Sequence, residues 1–310
     1  MKTKLIAFLL SISALTCGAQ SAYDHSKLQM EDLGRGVVAF RESADKVFVS
    51  WRYLSSDARG IKFDVYRNGV KINDKSLSDV TWFVDSNPLD SDAVYTVRPS
   101  SSKAPEGSWT LKAGDNKDYI SIPLQAPADQ VMPDGQIATY SPGDCSIGDA
   151  DGDGEYEIFL KWDPSNAHDN AHTGYTGSVF IDCLKLSGER LWRIDLGRNI
   201  RAGAHYTQFL VYDFDSDGIA ELICKTADGT VDGQGRVIGD PAKDYRSSEG
   251  RLQGRIMDGP EYMTVFSGKT GKALKTVDYL PGRGENGSWG DNYGNRSERH
   301  LAAVAYLDGR

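Results

Sequence analysis

Apolar and polar residues alternate with a period of two in short runs through the first third of the chain, as in Val47-Phe48-Val49-Ser50-Trp51 and Phe63-Asp64-Val65-Tyr66-Arg67. That period predicts half-buried strands. Asn68-Gly69 is a two-residue hairpin turn leading into Val70-Lys71-Ile72, because both central positions of such a turn need positive φ. Runs at 81–84, 93–97 and 119–122 continue the pattern. About seven short strands across residues 28–125, with Trp51 and Tyr95 as core anchors, predict a fibronectin- or immunoglobulin-like β-sandwich. The polar, Pro-bearing stretch Gln125-Ala126-Pro127-Ala128-Asp129, extended to Pro133-Asp134-Gly135, has no period and marks a domain boundary. A second domain therefore spans residues 126–310.

The pattern then changes to a repeat. Asp149, Asp151, Asp153, Gly154, Glu157 and Lys161 recur as Asp213, Asp215, Asp217, Gly218, Glu221 and Lys225, at a constant offset of 64. Three carboxylates at alternate positions repel one another in a small loop unless a cation neutralises them. Oxygen ligands at this spacing suit Ca²⁺. An EF-hand closes with a Glu at its twelfth position, but here that position holds Leu160 and Cys224. The closing acid comes earlier, as Glu157 and Glu221, and each is followed by a short apolar run that reads as a buried strand. Each unit is a calcium loop feeding a strand, and Asp149, Asp151, Asp153, Glu157, Asp213, Asp215, Asp217 and Glu221 are the candidate ligands. Surface turns are also rich in Asp and Gly; two copies in phase favour the metal.

Each loop is followed by a strand, a Gly turn and a strand, around Ser187-Gly188 in the first copy and Gly268 to Gly271 in the second. That is the makeup of a four-stranded propeller blade. The first copy is read as having no long insertion. The second is stretched by residues 226–259, too long for a turn and expected to form a functional loop over one face. Residues 302–309 resemble the degenerate start of a third copy. Propellers close with about four to eight blades, so an incomplete propeller, the first part of a longer protein, is expected.

Net charge is −9 with pI about 5.1, which excludes a nucleic-acid partner because phosphates need a basic footprint. Residues 1–19 place Lys2 and Lys4 ahead of an apolar run and end in Cys17-Gly18-Ala19, the pattern of a signal peptide cleaved after Ala19. Its loss removes two lysines and takes the charge from −9 to −11. Secretion or periplasmic export is the expectation; a lipid anchor on Cys17 fits less well, because Leu15-Thr16 is a poor lipobox. No other apolar run is long enough to span a bilayer, and a monomer is expected. Cys183 and Cys224 lie in apolar runs and read as small buried residues; a disulfide among Cys145, Cys183 and Cys224 stays open.

Several long stretches carry a further likeness: KWDPSN at 161–166, LGRNIRAGAHYTQF at 196–209, KTADGT at 225–230, GPEY at 259–262 and WGDNYGNR at 289–296. Together they resemble the rhamnogalacturonan lyases of polysaccharide lyase family 11. The resemblance implies an eight-bladed, calcium-loaded propeller that cleaves the rhamnogalacturonan I backbone of pectin by β-elimination at galacturonate. It also implies a protein about twice this length, with the catalytic base beyond Arg310 and weak or no turnover by these residues alone. Within the matched stretches Arg201, His205, Tyr206, Asn166 and Asp163 are the substrate-binding candidates: a cation for a carboxylate, a titratable ring, a phenol and two hydroxyl-binding groups. Lys161 and Lys225, at equivalent places, suit a structural role shared by the repeats, and Trp289 a repeat interface. The competing class is a non-catalytic calcium-loop propeller for glycan binding or adhesion, from which the non-repeating polar stretch 198–206 sets this chain apart.

Overall fold

A computed structural model describes residues 30–101, 103–285 and 287–305; the signal-peptide stretch, Cys17 and residues 306–310 of the degenerate third start lie outside them. The described residues are almost entirely β. Seven strands come first: β1 Val38–Ser43, β2 Lys46–Ser50, β3 Phe63–Arg67, β4 Val70–Lys71, β5 Trp82–Asp85, β6 Ala93–Pro99 and β7 Gly107–Leu111. They form two antiparallel sheets, ordered β1-β2-β5 and β4-β3-β6-β7. Alternation explains the packing: Val47 and Val49 of β2 face Phe63 and Val65 of β3, Tyr95 and Val97 of β6, and Trp51, in one buried cluster. Tyr95 is fully buried and donates its hydroxyl to Asp85 at 2.9 Å, so its polar tip is satisfied inside the core.

Residues 119–122 depart from expectation and form no strand. Tyr119 and Ile120 are exposed; with no sheet edge to pair with, an apolar run this short has nothing to hold it extended.

A short hairpin, β8 Gln130–Val131 and β9 Ile137–Ala138, leads to the first repeat: β10 Tyr140–Gly148, β11 Glu157–Pro164, β12 Phe180–Leu184 and β13 Arg190–Asp195. The second repeat follows with β14 Phe209–Tyr212, β15 Glu221–Thr226, then the pair β16 Thr230–Val231 and β17 Val237–Ile238, and finally β18 Tyr262–Phe266 and β19 Ala273–Asp278. Each repeat is a four-stranded antiparallel sheet, β10-β11-β12-β13 and β14-β15-β18-β19. The acid loop joins the first two strands in both. One buried cluster unites the two sheets, with Phe159, Ile181, Trp192 and Ile194 from the first meeting Leu222, Cys224 and Phe266 from the second.

Two expectations about insertions are corrected. The first repeat does carry one: residues 165–179 connect β11 to β12 and line a cleft described below. The long segment 226–259 is only in part a loop. Its β16-β17 hairpin leaves the second repeat and adds to the outer edge of the first sheet, with Asp195 of β13 opposite Val231. An unpaired edge is a strong attractor for extended chain, and this segment has Thr230 and Val231 to offer it. Residues 302–305 form no strand.

The sheets touch backbone to backbone. A Cβ on Gly268 would lie 1.8 Å from the carbonyl oxygen of Ala220, so only glycine fits there. Trp192 Nε1 donates to the Gly268 carbonyl at 2.5 Å, and the Ala220 N–H donates to the Asp149 carbonyl at 2.8 Å. Cys183 and Cys224 are buried and free, and Cys145 is exposed and free. No described helix is long and apolar enough to cross a membrane.

Candidate functional site

The two acid loops are built by the same bonds. In the first, Asp149 accepts the N–H groups of Gly152 at 2.7 Å, Asp153 at 3.2 Å and Gly154 at 2.8 Å. In the second, Asp213 accepts those of Ser216 at 2.6 Å, Asp217 at 3.2 Å and Gly218 at 3.0 Å. Glu157 reaches back to the Ala150 N–H at 2.8 Å, and Glu221 to the Phe214 N–H at 2.9 Å. Gly154 at φ 86° and Gly218 at φ 91° make the sharp turn, a left-handed conformation in which Cβ is costly. One pair of equivalents differs: Gly152 at φ 82° corresponds to Ser216 at φ 67°.

These bonds converge carboxylates. Asp149, Asp151 and Glu157 bring ligand atoms within 4.8 Å of one another, as do Asp213, Asp215 and Glu221. Asp153 and Asp217 lie outside these two triads. Each instead caps its own turn, accepting the Glu155 N–H at 2.9 Å and the Ile219 N–H at 2.9 Å. Asp149, Glu157, Asp213 and Glu221 are buried. Burial pushes the Glu157 and Glu221 carboxyls up to about 7, with Asp151 and Asp215 respectively adding to the shift. Asp151 Oδ1 is buried with no hydrogen-bond partner. A clustered, desolvated acid set with an orphaned oxygen fits a hard cation that takes oxygen ligands.

The loops are not equal in charge. Lys185 places its ammonium 2.5 Å from Asp151 and 3.6 Å from Asp153. The strand register aligns Ile158 with Leu184 and Leu222 with Phe266, so the second repeat has Ser267 where the first has Lys185.

On another face of the repeats lies a cleft of about 660 Å³, lined by Asp144, Lys161, Asp163, His168, His172 and Arg299 among others. β11 carries Lys161 and Asp163 to its wall, and the 165–179 connection supplies the imidazoles. Lys161 is buried and paired with Asp144 at 2.6 Å and with Asp163 at 3.7 Å. Burial raises the Asp163 carboxyl above the ordinary range, Lys161 opposing and Asp144 reinforcing the shift. Asp169 binds His205 Nδ1 at 2.6 Å and Arg299 at 2.9 Å. The His205 ring is more than half exposed, so its Nε2 is free to meet a solute.

Two candidates do other work. Arg201 is buried, and its guanidinium donates to three backbone carbonyls, Gly174 at 2.9 Å, Gly254 at 2.6 Å and His172 at 2.9 Å. It ties the 165–179 connection to the long segment of the second repeat. Tyr206 is buried as well; its hydroxyl accepts the Asn170 N–H at 2.7 Å and donates to Asn295 at 2.7 Å. Asn166 accepts the Gly177 N–H at 2.9 Å, leaving its Nδ2 buried and unpartnered. Of the five substrate-binding candidates, Asp163 lines the cleft, and His205 is tied to it through Asp169. Lys225, like Lys161, is buried between two carboxylates, here Glu298 and Glu261 at 3.1 Å, with Arg283 bridging the same pair. Trp289 donates to the Arg283 carbonyl at 2.7 Å and meets the His300 ring edge-on at 5.5 Å.

Sequence reading missed His168, Asp169, His172, Arg299 and Lys185. The run His168-Asp169-Asn170-Ala171-His172, two imidazoles around an acid, was the available signal for the first three. Arg299 and Lys185 had none, since both act across long sequence separations.

A sandwich joined to serial antiparallel sheets, each opened by an acid loop, defines the class: a β-sandwich protein with repeated, loop-headed sheets. Residues 28–110 match the rhamnogalacturonan I lyase β-sheet domain, and residues 119–310 match the C-terminal domain of rhamnogalacturonan lyase family 11. The chain belongs to rhamnogalacturonan lyase family 11. It is 54% identical over 284 residues to the Bacillus subtilis rhamnogalacturonan exolyase YesX, covering 91% of this chain and 45% of that protein. Against the rhamnogalacturonan endolyase YesW of the same organism the identity is 48% over 316 residues, covering 99% and 48%. The Bacillus licheniformis family 11 lyase structure superposes with a TM-score of 0.82 at 54% identity, covering 90% of this chain and 47% of that one. This chain thus spans about half the length of the curated relatives it matches.

Proposed function

We propose that this protein acts on the rhamnogalacturonan I backbone of pectin, in a calcium-dependent β-elimination carried out outside the cytoplasm on a propeller framework. The observation that carries the reading is the cleft, where cations and imidazoles stand against a raised-pKa carboxyl in a chain of this family. Elimination removes the C5 proton of a galacturonate and expels the oxygen at C4. A carboxylate leaves that proton weakly acidic, so negative charge growing at the carboxyl group must be stabilised by nearby cations. Arg299 is the cleft's half-exposed cation, and it suits a galacturonate carboxylate. His205, held by Asp169 through Nδ1, presents Nε2 for a sugar hydroxyl, and Asp163 accepts a second one. Rhamnose and galacturonate are hydroxyl-rich, and such paired polar groups orient a sugar ring.

Asp149, Asp151 and Glu157 would hold one calcium ion, and Asp213, Asp215 and Glu221 another. Calcium there supplies positive charge that lets the buried carboxylates stay ionised. The loops lie at the junction of the two sheets, where a proton-abstracting base would be locked to metal, so the reading gives them a framework role.

The test incubates the protein with rhamnogalacturonan I, with calcium or with chelator. Retardation in a gel containing the polysaccharide is expected, with calcium-dependent ultraviolet-absorbing unsaturated galacturonyl ends formed slowly, since these residues alone are expected to turn over weakly. Absence of both refutes the reading, and retardation without unsaturated ends favours a glycan-binding role.

A further inference from the structure

The segment that precedes the sandwich runs along both acid loops at once. The Asp32 N–H donates to the Gly218 carbonyl at 3.3 Å, and the Gly34 N–H donates to the Gly154 carbonyl at 2.7 Å. Gly154 and Gly218 are the same residue of the two repeats, 64 positions apart. In each of them the N–H is held by the leading carboxylate, Asp149 or Asp213. Whatever moves that carboxylate moves the carbonyl that residues 32–34 grip.

Two side chains reinforce the contact. Arg52, next to the sandwich core, donates to the carbonyls of Gly154 at 3.3 Å and Gly34 at 3.2 Å, with its guanidinium 4.2 Å from the Tyr156 ring. Glu31 lies against the first loop: a Cβ on Gly148 would come within 3.3 Å of its Oε1. Glu31 thus lies against the first loop while belonging to neither triad.

We propose that residues 31–34 form a clasp that makes cation binding in the two loops and docking of the sandwich one equilibrium, with Glu31 as an outer anion of the first loop. The proposal rests on the calcium reading of the loops. Without cations, Glu31 adds to a crowd of like charges and loosens the clasp; with cations, it strengthens the field that attracts them. Linkage makes the effect reciprocal: calcium must stabilise the sandwich, although no loop acid belongs to it.

The experiment compares the wild type, Glu31→Gln and Glu42→Gln, the last removing the same charge from an exposed site on β1. Calcium binding is measured by titration calorimetry, and hydrogen exchange is followed at the amides of β2 and β3. Glu31→Gln is expected to bind calcium about tenfold more weakly at the first loop, Glu42→Gln within about twofold of the wild type. Exchange in the wild-type sandwich is expected to slow when calcium is added. Equal affinity for Glu31→Gln and Glu42→Gln overturns the proposal, as does sandwich exchange indifferent to calcium. A wild type that binds no calcium sinks the calcium reading and the clasp together, whereas binding unchanged in Glu31→Gln sinks the clasp alone. If Glu31→Gln fails to fold, the wild-type exchange comparison decides by itself.

Discussion

Stripping the calcium proposed for the two acid loops should invert the stability of this protein across the mildly acidic range. Glu157 and Glu221 are buried, and without a cation their carboxyls titrate near 7 rather than 4.5, burial being the main cause. Between those two pH values the folded chain holds protons that the unfolded chain has released. Folding stability must therefore fall as pH rises through that window and level off above about 7. A carboxyl lifted by that much weakens the ionised folded state by at most about 3 kcal/mol. With two such groups, and with relaxation and water entry discounted, a loss of roughly 2–4 kcal/mol is expected, or about 5–10 °C in Tm. Bound calcium holds the carboxylates ionised and removes the slope. The assay is calorimetric melting at steps of pH from about 5 to 8, in calcium and in chelator, with the difference isolating the loops from other acids. A chelated protein whose Tm stays flat or rises up to pH 7, or whose slope matches that in calcium, would refute the reasoning.

Four further outcomes follow from the geometry. Ser216→Gly should stabilise the protein by about 1 kcal/mol in a denaturant titration, since serine occupies a left-handed position that the first loop gives to Gly152. Arg201→Lys should cost about 2–4 kcal/mol by the same titration, because one ammonium cannot serve three buried carbonyls. His205→Ala should raise the Kd for rhamnogalacturonan I, read from gel retardation, about tenfold while the melting curve stays put, the ring being mostly exposed. Lys185→Met should tighten calcium binding at the first loop and leave the second unchanged, measured by titration calorimetry, because only the first has an internal ammonium on its carboxylates.

Local chemistry was legible in the sequence wherever local bonds decide structure. The offset of 64 foretold matching loops because each is closed by hydrogen bonds spanning only a few residues, from Asp149 to Gly154 and from Asp213 to Gly218. Asn68-Gly69 foretold a hairpin because its two residues adopt positive φ, 48° and 81°. Residues 119–122 had strand composition, but a strand needs a partner edge, which composition does not record. Arg201 shows the same limit at the site. Its charge suggested a carboxylate ligand, yet its partners are the carbonyls of residues 172, 174 and 254, distant in sequence and contributed by backbone.

The hairpin of β16 and β17 carries a consequence for how such chains can be cut and recombined. The sequence repeats every 64 residues, but the first sheet is finished only when Val237–Ile238 has paired with Thr230–Val231 at its edge. The unit that is duplicated and the unit that folds are out of frame. A ribosome must deliver much of the second repeat before the first is complete, and a chain severed between the copies yields one half lacking its last two strands. Swapping single repeats between relatives should therefore fail at the junction after β15, while exchanging both repeats together keeps every strand with its neighbour.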